Sequence, residues 1–268
     1  MSDIITGIIR RLEMLERATK RLGARDALQV SSDPILRLTG LRGYWPMSAF
    51  DDAGNAADLA GFDAAVTELT YNGNPTYSYD GLAPYIRFDG VGDYLSHIDA
   101  AHYDILGTEA FVGVPGLTLG GWFYIEDDAN AQGLITKWGA AVHRSYYLWA
   151  DPSAAGDPAT FQITDDGTNW DDVSLAGCTI DAWHFVAGRY DDSDAGAELK
   201  VWVDGDSDTA ATARDSIFDS DAAFMIGARQ GPLTYLTGRA SHCWLCAAAL
   251  SDECIHAIFQ QQRSLFGV

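Results

Sequence analysis

The sequence predicts an all-β antiparallel sandwich standing behind a short amphipathic helix. Three observations lead there. From about residue 40 to residue 250, short aromatic-rich runs alternate with turns built on Asp and Gly, the rhythm of many short paired strands. The chain has 268 residues, 47% of them hydrophobic and 12% aromatic, enough to bury a large core and unlike a disordered segment. Ahead of this, Ile5, Ile8, Leu12, Leu15, Thr19 and Leu22 recur at alternating spacings of three and four, the seam of a helix.

That seam places the five aliphatic residues at a and d positions, and Ile4 and Ile9 widen the apolar stripe at its start. Ile at both a and d favours three or more strands over two. So short a helix is marginal alone and needs association or a binding groove, so residues 1–25 are read as an oligomerisation or docking helix, with a homotrimer as the expected assembly. The other reading packs the helix on its own sandwich. Residues 26–39, with Ser31, Ser32, Asp33 and Pro34, read as a linker. Residues 40–268 form the sandwich, closed by a short helix that Ser251 caps and that buries Ile255, Ile258 and Phe259.

The sandwich centres on residues 84–96. Ile86 and Phe88 share one face of a strand. Asp89 and Gly90 supply turn chemistry, read as a tight hairpin, and a second strand follows over residues 93–96. Downstream, residues 117–125, 133–138, 145–149 and 161–164 read as strands. Asp165, Asp166 and Gly167 mark another hairpin.

Six segments, in order, resemble the LamG-like jelly rolls of the concanavalin A-like lectin/glucanase superfamily. They are GLRGYWPM at residue 40, IRFDGVGDYLS at 86, LTLGGWFYI at 117, DAWHFVAGRYD at 181, LKVWVDG at 199 and the closing ALSDE at 249. The resemblance covers roughly residues 40–260 and implies a jelly-roll sandwich. It places Trp45, Trp122, Trp183 and Trp202 in core strands. It also sets Asp51, Asp52, Asn55 and Asp58 in a loop able to offer oxygens to Ca²⁺, although Asx residues equally make plain turns. A late Asp-Glu pair of the family falls on Ser241 and His242 here, which removes those carboxylates.

Charge and chemistry narrow the function. The net charge is −21, and with residues 1–25 at +3 the remainder carries −24, which opposes nucleic-acid binding. No run of about 20 apolar residues suggests a membrane span. Asp3 ahead of a four-isoleucine patch does not read as an export leader. Cys178, Cys243, Cys246 and Cys254 read as buried thiols, because Cys243 and Cys246 fall on opposite faces of one strand. The E-x-D-x-x-E strand arrangement of the superfamily's glucanases, which sets two carboxylates about a glycosidic bond, has no match here. His184 beside Trp183 reads as a packed, hydrogen-bonded histidine, so no enzyme is expected.

Sugars bind flat aromatic faces flanked by polar groups. Trp170, beyond a polar turn, reads as exposed, and Trp138 and Tyr146 border a loop with His143 and Arg144 between them. These three are the candidate carbohydrate contacts, with core packing as the alternative. An oligomerising helix, a lectin-like sandwich and no leader together suit a phage particle. The expectation is a virion-surface or tail-fibre protein, or otherwise an extracellular one, adhering to host-surface glycans alongside other virion proteins. A purely structural capsid decoration protein, docked through its helix, is the alternative.

Overall fold

The computed structural model describes residues 33–48, 55–60, 67–81, 83–108, 115–231 and 234–268. The heptad seam (Ile5, Ile8, Leu12, Leu15 and Leu22) lies outside the described residues, as do Asp51 and Asp52.

Two antiparallel sheets, with strands numbered in chain order, face one another. The eight-stranded sheet runs β13 (Asp206–Ala210), β12 (Leu199–Val203), β11 (Trp183–Tyr190), β6 (Leu117–Ile125), β15 (Thr237–Cys246), β4 (Ala83–Asp89) and β3 (Thr76–Asp80), with β1 (Leu41–Trp45) paired to the far end of β15. The seven-stranded sheet runs β10 (Asp171–Leu175), β9 (Ala159–Ile163), β8 (Arg144–Ala150), β7 (Gln132–Trp138), β14 (Phe224–Ile226), β5 (Tyr94–His97) and β2 (Thr70–Asn72). Between them lies an apolar core that includes Trp45, Phe88, Phe123, Leu148 and Phe161.

The residue 84–96 stretch corrects the hairpin reading. β4 pairs with β3 and β15, whereas β5 pairs with β14 and β2, in the opposite sheet. Asp89 Oδ1 accepts from the backbone N–H of Val91 at 2.8 Å and of Gly92 at 3.2 Å, and Gly90 has φ 78°. The turn chemistry is therefore present. It turns a corner between sheets, and Asp93 fastens that corner by accepting from Asn74 N at 2.7 Å and Asp89 N at 3.2 Å.

A second core covers the outer face of the eight-stranded sheet. Helix α1 (Asp252–Phe266) buries Ile255, Ile258, Phe259 and Phe266 against Trp122, Trp183, Phe185 and Trp202. Ser251 caps it by accepting from Cys254 N, and Gly267 closes it in the left-handed region. Part of the segment read as linker joins this layer. Residues 34–37 form a 3₁₀ turn capped by Asp33, and Ile35 is fully buried beside Tyr44. Cys243 packs in the inter-sheet core and Cys246 in the outer one, so the two thiols do face apart. His184 is packed and bonded, with Nδ1 2.5 Å from Asp204 Oδ2 and Nε2 3.0 Å from the Thr179 carbonyl. No helix among the described residues is long and apolar enough to cross a membrane.

Candidate functional site

The outer face of the seven-stranded sheet carries no covering helix among the described residues, and its chemistry differs from that of its partner. On β8, Tyr146, Leu148 and Ala150 point into the inter-sheet core, so strand alternation sends Tyr147 and Trp149 outward. On β9, Phe161 and Ile163 point in, leaving Thr160 and Gln162 outside. Tyr147 stacks on Trp149 at 5.9 Å between ring centroids and meets Trp138 of β7 at 5.7 Å. Trp138 then meets Trp170 edge-on at 6.2 Å. Four rings therefore run across the face among hydroxyl and amide groups: Tyr147 shares a hydrogen bond with Thr234 at 3.0 Å, and Trp149 Nε1 donates to Gln162 at 3.3 Å.

Trp170 is the most exposed of the four, 47% against 2% for Trp138, with Trp149 half-buried. Its position is built by the β9–β10 loop. Asp166 accepts from Asn169 Nδ2 at 2.7 Å and from the backbone N–H groups of Thr168 and Asn169 at 2.7 and 2.8 Å. Donation by the Asn169 side chain, then by these amides, holds the Asp166 carboxyl well below the usual carboxylate range. Gly167 has φ 74°, and a Cβ there would lie 2.9 Å from the Phe218 ring, so the loop needs glycine at this point. Its carbonyl accepts from Val142 N at 2.9 Å, tying it to the β7–β8 turn.

Arg144 joins the two tryptophans. Its guanidinium carbon lies 4.8 Å from the Trp170 centroid and 5.6 Å from that of Trp138, while Nη1 donates to the Thr168 carbonyl at 2.8 Å. These cation–π contacts and the carbonyl bond fix Trp170 above its loop. Burial pushes the Tyr147 hydroxyl up to about 12, so it stays neutral at physiological pH.

The sequence-predicted residues divide accordingly. Trp170 and Trp138 come together, the first as an accessible ring and the second as the floor beneath it. Tyr146 is corrected. Its side chain is fully buried in the inter-sheet core and its hydroxyl donates to the Tyr103 carbonyl at 3.0 Å, so it offers no face to a ligand. The face-bearing tyrosine is Tyr147, one residue on. The inward pair Leu148 and Ala150 carries that parity in the sequence itself.

Of the proposed calcium loop, Asn55 and Asp58 are described. Asp58 is buried, and its Oδ1 accepts from Tyr44 N at 2.7 Å and Ala60 N at 2.9 Å, which makes it a turn cap. Among the described residues, no three His, Cys, Asp or Glu side chains group as a metal site. Glu126 pairs with Arg87 and Arg239, and Glu198 accepts from the N–H groups of Gly196 and Thr212.

No curated protein matches the sequence. Solved structures do match the fold. Domain 4 of AbnA, a GH43 extracellular arabinanase from Geobacillus stearothermophilus, in complex with arabinotriose, aligns with a TM-score of 0.58 at 14% identity, covering 83% of this chain and 99% of that one. The botulinum neurotoxin serotype D ligand binding domain, in complex with N-acetylneuraminic acid, aligns with a TM-score of 0.59 at 11% identity, over 87% of this chain. The binding domain of Paraclostridial Mosquitocidal Protein 1 gives 0.61 at 8% identity, over 83%. The chain spans about half of each of these two toxin domains, 52% in both cases. At these identities the likeness concerns the fold. The family itself rests on the sequence: the Laminin_G_3 model of the concanavalin A-like lectin/glucanases superfamily matches residues 92–256, more than half of the chain, and the protein belongs to that family.

Proposed function

We propose that this sandwich is a non-catalytic glycan-binding module that receives a sugar on Trp170 at the edge of the aromatic face. The observation that carries the reading is Trp170 itself. It is a large apolar ring left 47% exposed, yet held in one place by Arg144 and by a loop that Asp166 fastens from within. An immobilised exposed ring loses little entropy when a sugar stacks on it, and the surrounding Thr168, Asn169 and Gln162 supply polar partners for hydroxyls. Two of the similar structures hold carbohydrate, arabinotriose in one and N-acetylneuraminic acid in the other, which agrees with this use of the fold.

Trp170→Ala should weaken glycan binding at least tenfold in a titration against a broad polysaccharide panel, because a central aromatic anchor typically costs about 2 kcal/mol or more when truncated. Addition of a chelator should leave binding unchanged. Undiminished affinity in the variant would refute the assignment of this face.

The module is placed, in this reading, on the surface of a virion, in several copies joined through residues 1–25, so that weak sites act together. The heptad spacing of Ile5, Ile8, Leu12, Leu15 and Leu22 supports the assembly. Ile8→Asp with Leu12→Asp should convert the oligomer to folded monomers by light scattering and lower apparent affinity for a multivalent glycan surface at least tenfold. A variant that kept the parent mass would remove this segment as the joining device.

A further inference from the structure

The corner that carries the chain from β4 to β5 walls a pocket of about 270 Å³. Three strand ends meet there. Thr76 opens β3 opposite Arg87, and Thr237 opens β15 opposite Asp89. Backbone bonds hold this frame in place without a ligand. Asp93, only 3% exposed, accepts from Asn74 N and Asp89 N, and Asp89 Oδ1 accepts from Val91 N and Gly92 N. Thr237 N donates to Gln132 Oε1 at 2.9 Å, and its carbonyl accepts from Glu126 N at 2.8 Å. A Cβ on Gly90 would collide with Thr237 Oγ1, so glycine is what brings the turn against this hydroxyl.

The groups that hold the frame leave others unused. The Asn74 side-chain amide, the Thr76 and Thr237 hydroxyls and Asp89 Oδ2 enter no hydrogen bond among the described residues. All four residues line the pocket, and Phe88 adds an apolar wall. Arg87 borders it too, with its charge answered by Glu126 at 2.6 Å. The pocket is remote from Trp170. Leu95 of β5 and Ile135 of β7 both pair with Ile226, as His97 and Lys137 both pair with Phe224, so β5 and β7 run in the same direction. Asp93 precedes β5 and Trp138 ends β7, which puts the pocket and the aromatic row at opposite ends of the seven-stranded sheet.

We propose that this pocket is a second ligand site, taking a single neutral sugar unit. A sugar hydroxyl both donates and accepts, and the unused groups match it in both senses: Asp89 Oδ2 accepts only, while the Asn74 amide and the two threonine hydroxyls do either. A wholly apolar ligand would strand these groups without partners. An anion would meet the Asp89 carboxylate in a chain of net charge −21, with the one arginine already neutralised. The small volume suits one ring held in a preformed pocket, unlike the open row of rings around Trp170. The site goes beyond the Trp170 reading and does not depend on it.

The test titrates the full chain, by NMR and to saturation, with glucose, galactose, mannose and arabinose, and with glucuronate and alanine as charged controls. At least one neutral sugar should bind saturably, and more tightly than either control. Asp89→Asn keeps the Oδ1 acceptor that closes the turn but replaces Oδ2 with a donor, and should weaken that sugar about tenfold, the loss of one hydrogen bond to a charged group. Thr76→Val, which keeps shape on an edge strand, should weaken it several-fold. Trp170→Ala should leave it unchanged. Polysaccharide binding kept in Trp170→Ala but lost in Asp89→Asn would sink the aromatic-face reading and support this one. Sugar binding abolished by Trp170→Ala and indifferent to Asp89→Asn and Thr76→Val would belong to the aromatic face and overturn the second site. Preference for alanine or glucuronate would overturn the neutral-sugar assignment, and so would saturable binding of no neutral sugar by the folded protein.

Discussion

Lys137→Met is expected to lower the unfolding free energy by about 3–5 kcal/mol, the cost of breaking a buried ion pair from one side. Lys137 is wholly buried on β7, and its Nζ lies 2.7 Å from Asp99 and 3.0 Å from Asp104. It also donates to the carbonyl oxygens of Ala222, at 3.0 Å, and Ser220. One ammonium thus joins two segments distant in sequence, residues 99–104 and 220–222, to the seven-stranded sheet. Methionine fills similar space but leaves the carboxylates without their cation.

Acid should narrow the deficit. Burial raises the Asp104 carboxyl above its ordinary value, and Lys137 pulls it back down. A carboxyl whose folded pKa exceeds its unfolded one destabilises the fold once ionised, a loss that grows as pH rises through the folded value. Without Lys137 that folded value climbs further. The gap between parent and variant in urea denaturation should therefore be widest near about pH 7 and shrink towards about pH 4. A gap below about 1 kcal/mol at neutral pH, in the range of an exposed pair, or one unchanged by acid, would remove this account of the cluster.

This cluster also marks where sequence reasoning stops. The strands were legible because alternation and turn chemistry are local: Ile86 and Phe88 share a face, and Ser251 caps its helix. Pairing is not local. Asp89 and Gly90 give the same turn whether the chain doubles back or crosses to the facing sheet, and only contacts of β4 with β15 and of β5 with β14 decide. Lys137 sits in a buried strand, with nothing adjacent to declare that Asp99 and Asp104 would come to it.

The candidate site was half legible for a similar reason. Trp170 stood out by its polar neighbours, and Trp138 by its place at a strand end. Aromatic residues occupy both faces of β8, so ring content alone does not reveal which of Tyr146 and Tyr147 faces the core.

Tryptophans of the two layers should respond in opposite ways. Trp122→Ala is expected to cost about 3–5 kcal/mol, the usual range for deleting a large buried aromatic. Trp122 is fully buried on β6; its ring stacks on Phe266 at 4.2 Å and meets Phe185 at 5.6 Å, and Nε1 donates to Gln262 at 2.9 Å. Removing it opens a cavity beneath α1 and takes away the partner of Gln262. A helix of 15 residues has little stability apart from its packing. Limited proteolysis should therefore cut within residues 252–266 in the variant before the rest of the sandwich yields. Trp170→Ala, at a ring open to solvent, should change stability by no more than about 0.5 kcal/mol while removing sugar binding. If Trp122→Ala left α1 protected, the outer layer would be held by something other than this stack. If Trp170→Ala unfolded the protein, its ring would belong to the core and the ligand site would have to lie elsewhere.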